Sequence, residues 1–183
     1  MAFDLAVEVQ RVRACAAKRD TRSRQVVDKA LQSKWEGLQS VALQVLGEWG
    51  DDDSRSRLRD FIEEVEERQY GWAIRGVAIR ALAACVKPDD APWVLNRYFR
   101  VPGVLAKHEL LPLVVSLPTD VTRNRLLHEI SARNRDDRQA AMKAIGSAGF
   151  EDGANLLQRF ADDEDADIRR GANVLIARLT DAS

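Results

Sequence analysis

The chain is poor in the groups that most enzyme chemistry needs. It has two histidines, His108 and His128, and two cysteines, Cys15 and Cys85, in 183 residues. The histidines fall in different expected helices and the cysteines have no metal-ligand spacing, so no zinc-type ligand set can be written. No serine or cysteine sits in a nucleophile elbow, and no glycine-rich phosphate loop is present. The acidic runs, Glu63-Glu-Val-Glu-Glu67 and Asp162-Asp-Glu-Asp165, lack the central glycine and ligand spacing of a calcium loop. They read as a solvated helix face and an interhelical turn. Both cysteines lie in apolar helical contexts and read as buried free thiols, although one disulfide between them is conceivable. No apolar run approaches the roughly 20 residues of a membrane span. The opening Met1-Ala-Phe-Asp-Leu-Ala-Val-Glu8 places acid where a secretory signal needs a basic start. The expectation is a cytoplasmic protein that is not an enzyme and needs no metal or cofactor.

What is present is a soluble composition with a period. Hydrophobic residues make up 45% and charged residues 31%, and the net charge is −1. That balance excludes a global pull toward nucleic acid or membrane, but charge is segregated locally. Residues 71–150 carry 12 Lys/Arg against 7 Asp/Glu, and residues 151–183 carry 4 against 8. Strand-like alternation is absent, so the fold class is all-α.

The stretch Arg75-Gly-Val-Ala-Ile-Arg-Ala-Leu82 sets the pattern. A small anchor, Ala78, is followed one helical turn later by Leu82 and preceded by Arg75. The same arrangement occurs at Ala42 (Leu46, Gln39), Ala141 (Ile145, Arg138) and Ala172 (Ile176, Arg169), and more weakly at Leu110 (Val114, Lys107). The anchors are spaced 36, 32, 31 and 31 residues apart. A fixed step of this size marks a repeat architecture. A second series runs in phase with it: Val27/Ala30, Ile62/Val65, Leu95/Tyr98, Leu127/Ile130 and Leu157/Phe160. Each repeat therefore reads as a first and a second helix, with small anchors letting neighbouring second helices approach.

The expected organisation is one domain over 1–183, with a capping helix in 1–20 and repeats at 21–52, 53–87, 88–117, 118–149 and 150–181. The cap helix is read over 2–18, with Leu5, Val9, Val12 and Ala16 inward and Arg11, Arg13, Lys18 and Arg19 on its other side and end. Asp20-Thr21 offers the next N-cap. Breakers fall at Gly50-Asp-Asp-Asp-Ser54, Lys87-Pro88, Pro102-Gly103, Leu117-Pro118 and Gly149-Phe-Glu-Asp-Gly153. Pro112 interrupts an expected second helix and predicts a kink there or a restart near residue 110.

Asp165-Ala-Asp-Ile-Arg-Arg-Gly-Ala172 with Ile176, Arg135-Asp-Asp-Arg-Gln-Ala-Ala141 with Ile145, and Trp72-Ala-Ile-Arg-Gly-Val-Ala78 with Leu82 carry a resemblance. They resemble the HEAT-like repeat family, in the short bacterial form named after phycobilisome lyases, over about residues 21–180. The resemblance implies a right-handed α-solenoid. Proteins with such repeats include scaffolds, enzyme-associated modules, bilin lyases and a class of DNA glycosylases.

Two sets of residues are candidates for partner contact. Arg75, Lys107, Arg138 and Arg169 share the position three before the anchor, and Arg80, Lys143 and Arg170 lie near it. Stacked repeats of this family would align them on a groove formed by the second helices, suited to an acidic protein or a phosphate backbone. The same column also fits a structural role, with each Arg pairing an Asp in the preceding turn, as Asp165 or Asp167 with Arg169. Trp35 and Trp72, with Tyr70 nearby, would make a binding hot spot if exposed and core if not. The functional expectation is a non-catalytic protein-binding scaffold or adaptor with an acidic partner. The alternatives are a nucleic-acid-binding protein, extending to a repair glycosylase built on Trp35, Trp72 and Asp136, and last a bilin lyase. No membrane partner is expected.

Overall fold

The computed structural model describes residues 4–66, 72–117 and 119–181. Among the described residues every regular element is helical, and the chain divides into two compact units, 1–86 and 87–183. The division falls between Val86 and Lys87. The first unit holds α1 (Leu5–Arg13), α2 (Thr21–Leu31), α3 (Glu36–Trp49), α4 (Asp52–Glu66) and α5 (Trp72–Ala83). The second opens with a 3-10 turn, Pro88–Asp90. It continues with α6 (Ala91–Arg100), α7 (Val104–Val115), α8 (Asp120–Glu129), α9 (Arg135–Ser147), α10 (Gly153–Leu157) running into a 3-10 turn at Gln158–Phe160, and α11 (Ala166–Asp181).

Short polar side chains start the helices by accepting from otherwise unpaired first-turn amides. Asp20 accepts from the Ser23 amide at 2.7 Å, Asp51 from Ser54 at 2.9 Å, Thr119 from Thr122 at 3.2 Å and Asn134 from Asp136 at 2.9 Å. Gly50, at φ 59°, ends α3 in a left-handed conformation that only glycine adopts without strain. The first helix is shorter than the expected 2–18. After Arg13 the chain tightens into turns in which the Cys15 and Ala16 amides donate to the Val12 and Arg13 carbonyls. Trp49 fixes that end, its indole N–H donating to the Cys15 and Ala16 carbonyls at 3.2 and 3.3 Å.

The anchors form the spine of each core. Ala42, Ala78, Ala141 and Ala172 have no exposed surface, and Leu110 is also buried. In each unit the second helices pack side by side, α3 on α5 and α9 on both α7 and α11. Glycines five residues beyond two of the anchors also allow close approach. A Cβ on Gly47 would lie 2.8 Å from the Ala81 carbonyl oxygen, and one on Gly146 would lie 2.7 Å from a Leu175 methyl.

Three expectations need correction. In α8 the buried positions are Leu126, Thr122 and Glu129, while Leu127 and Ile130 are only half-buried. The register slips by one because Arg125 pairs with Glu129 at 2.7 Å and the Thr119 and Thr122 hydroxyls bond to each other, letting polar groups enter the core. The helix around Pro112 does not restart near 110. It is continuous from Val104 to Val115 with Pro112 inside it, where the ring leaves the His108 carbonyl without its usual intrahelical donor. Cys15 is buried as expected, but Cys85 is half-buried, and both are free thiols.

Candidate partner-binding surfaces

The column three residues before each anchor faces inward. A helix ends with four carbonyls that lack intrahelical donors, and a cation there also meets the negative end of the helix dipole. Gln39 Nε2 donates to the Leu31 carbonyl at the end of α2 at 3.0 Å. Lys107 Nζ donates to the Tyr98 and Phe99 carbonyls in the last turn of α6 at 3.2 and 2.9 Å. Arg138 Nη1 donates to the Ala132 and Arg133 carbonyls just beyond α8 at 3.0 and 3.3 Å. Arg169 Nη1 donates to the Asp163 and Glu164 carbonyls just beyond the fifth first-helix segment at 2.5 and 3.0 Å. The donors belong to the second helix of a pair and the acceptors to the end of the first, so in these four pairs the position locks the two helices together.

Lys107 and Arg138 are therefore not groove cations. Lys107 is 3% exposed, stands 2.9 Å from an Asp137 carboxylate oxygen and lies 5.7 Å over the Phe99 ring. The Arg138 guanidinium meets Asp163 at 2.8 Å and Glu164 at 2.8 Å with its side chain 8% exposed. Arg169 is half-buried and held by backbone carbonyls rather than by Asp165 or Asp167. Asp165 pairs with Arg135, and Asp167 is shared between Arg135 and Arg170. Arg75 holds the same position in the second pair and is half-buried.

A second arrangement links neighbouring repeats inside each unit. Arg24 on α2 donates to Asp51 at 2.6 Å and to Asp53 at 2.9 Å. Arg57 on α4 reaches back to Asp28, Arg123 on α8 reaches Asp152 ahead of α10, and Arg135 on α9 reaches Asp165 ahead of α11. The Arg24 hydrogen bond, with help from the Ser54 amide and hydroxyl, holds Asp51 at about 2, well below the usual 3.8. Arg135, with the Ile168 and Asp167 amides, holds Asp165 at about 2 in the same way. Depressed carboxylates stabilise the fold fully above their unfolded value and lose that contribution as pH falls through the folded one. The melting midpoint is therefore expected to drop between pH 4 and pH 2. Asp51→Asn should lower the midpoint at neutral pH and flatten the slope in that window, as circular dichroism melts across pH would show. An unchanged slope would remove Asp51 from the account.

The remaining candidates differ in environment. Arg80 on α5 is exposed, and its side chain has no hydrogen bond or ion pair among the described residues. It borders a hollow of about 510 Å³ between α3 and α5, whose other walls are Gln44, Gly47, Glu48, Val77, Ala81 and Ala84. Lys143 on α9 is half-buried, and Arg170 on α11 is exposed and pairs with Asp167. Trp35 caps α3 with 45% of its surface exposed and Lys34 Nζ 5.5 Å over its ring. Trp72 begins α5, but its side chain and Tyr70 lie outside the described residues. Asp136 is half-buried in the first turn of α9. Among the described residues no three His, Cys, Asp or Glu side chains converge as a metal site, and no helix is long and apolar enough to cross a membrane.

One surface was not anticipated from the repeat pattern. Arg11, Lys18, Arg22 and Lys29 line two adjoining hollows between α1 and α2. A count would have found the region, since residues 11–34 carry eight Lys/Arg against two Asp/Glu. The anchor pattern passes over it because it lies on the capping helix and a first helix.

These features define an all-helical protein of successive helix pairs, with second-helix cations divided between internal caps and exposed positions. No family model matches the chain, and no curated protein does. A solved structure of human deoxyhypusine hydroxylase in complex with glycerol is similar at 14% identity and TM-score 0.48, covering 97% of this chain and 81% of that one. A likeness this loose carries neither fold nor activity across.

Proposed function

We propose that this chain is a HEAT-like helical-repeat module without catalytic activity that binds an acidic protein partner on its second helices. The supporting observation is Arg80. While Lys107, Arg138 and Arg169 are spent on helix ends, Arg80 stands exposed at the hollow between α3 and α5, where its charge is available to a carboxylate. Lys143 and Arg170 supply further cations on second helices of the other unit. Exposed cations of this kind steer association and select partners more than they add affinity.

Affinity capture from native lysate tests the reading, comparing wild type with Arg80→Glu/Lys143→Glu/Arg170→Glu. Wild type is expected to retain one near-stoichiometric protein through nuclease treatment. The triple reversal should lose about 90% of it, a tenfold weakening being about 1.4 kcal/mol, with the melting midpoint within a few degrees of wild type. Equal recovery by both proteins would sink the second-helix assignment. Recovery that collapses with nuclease and falls steeply with salt would replace it with phosphate-backbone binding.

A further inference from the structure

The groove between α1 and α2 combines a basic rim with an apolar floor. Its larger hollow, about 630 Å³, carries Arg11, Arg22 and Lys29 on its walls, and the adjoining one, about 280 Å³, adds Lys18. Val12, Ala30 and Leu38 form the buried floor, and half-buried Val26 is shared by both hollows. Leu5, 38% exposed, lies seven residues before Val12 and so on the same face of α1, with Glu8 between them. The acids are few. Glu8 stands 3.7 Å from Arg11 in an exposed pair, and Asp20 is occupied capping α2.

We propose that this groove docks an acidic amphipathic helix from a protein partner. The floor needs aliphatic side chains at helical spacing, and the rim needs carboxylates beside them, which together describe one face and flanks of such a helix. A helix also brings its own backbone hydrogen bonds. An extended segment would leave amides and carbonyls unpaired, because no strand edge lies in the groove to receive them. A phosphate backbone matches the rim but leaves half-buried Val26 and the apolar floor without an apolar group to close over them. The surface pair between Arg11 and Glu8 is weak enough to be exchanged for a partner carboxylate. The proposal does not depend on the second-helix face around Arg80.

Fluorescence anisotropy on the full chain tests it. The probe is a labelled synthetic peptide of about 15 residues, long enough to form a helix, with Leu at positions i, i+3, i+4 and i+7 and Glu elsewhere. Controls are a scrambled peptide of identical composition and a duplex DNA oligonucleotide. Saturable binding of the amphipathic peptide is expected, at least about tenfold tighter than the scrambled one. Arg11→Glu/Arg22→Glu/Lys29→Glu should weaken it by about tenfold or more, Val26→Gln should weaken it without changing charge, and Arg80→Glu should leave it unchanged. Lys29→Glu alone, at an exposed position, keeps the test valid should the triple variant melt early. Equal affinity for the scrambled peptide, or tighter binding of the DNA, would overturn the proposal. So would equal loss in Arg80→Glu, which would move the peptide to the second-helix face. Loss of the lysate partner in Arg80→Glu with peptide binding intact would leave this groove standing and bear only on the other surface.

Discussion

Arg138→Ala is expected to lower the stability of the second unit by about 3 kcal/mol, the low end for breaking a buried ion pair. The guanidinium performs two tasks at once. One edge donates to the carbonyls that follow α8, and the other neutralises Asp163, whose side chain is 6% exposed. Truncation leaves a buried carboxylate without its counterion and two carbonyls without donors, and each omission is costly by itself. Glu164 contributes little, since its side chain is 82% exposed and water can replace the contact. Urea denaturation of Arg138→Ala, Asp163→Leu and the double variant forms the check. The double variant should recover much of the loss, because an apolar replacement of both partners removes the stranded charge. A single-variant cost below about 1 kcal/mol would place the pair effectively in solvent.

Gly47→Ala should cost about 2 kcal/mol, against the helical preference for alanine of about 1 kcal/mol. The new methyl would meet the Ala81 carbonyl oxygen and Cα, which are backbone atoms and can yield only if α3 and α5 separate. Gly146→Ala makes the useful contrast. Its methyl meets the branched end of Leu175, a half-buried side chain that can turn away, so the expected change is within about 0.5 kcal/mol of wild type. Denaturation midpoints of the two variants measured side by side decide the matter. Equal stability would mean that α3 and α5 are not held apart by their backbones.

Much of the core was legible because alanine anchors followed by Leu or Ile one turn later leave a strong helical period. Ala42, Ala78, Ala141 and Ala172 are all fully buried where the pattern put them. The register of α8 was not legible. Its adjacent Leu126 and Leu127 satisfy two faces equally, and the choice is made by Thr122 and Glu129, polar residues that enter the core only because Thr119 and Arg125 satisfy them. The basic column was visible as charge, but charge does not reveal direction. Lys107, Arg138 and Arg169 turn toward the ends of the preceding helices, whose unpaired carbonyls are invisible in side-chain patterns. The groove between α1 and α2 escaped for another reason: it is made by two helices that share no repeat position, so only a local count of cations points to it.

The aspartates that open α4 and α11 have a further consequence for how such a chain can be lengthened or shuffled. Asp51 starts α4 while holding Arg24, and Asp165 starts α11 while holding Arg135. Each start signal is thus shared with an arginine 27 to 30 residues upstream. A segment cut cleanly at a helix boundary and pasted elsewhere would carry a cap without its clasp. The portable piece begins at the arginine and ends beyond the aspartate, overlapping its neighbour, so tandem copying of this chain preserves the links only when the duplicated stretch spans more than one helix pair.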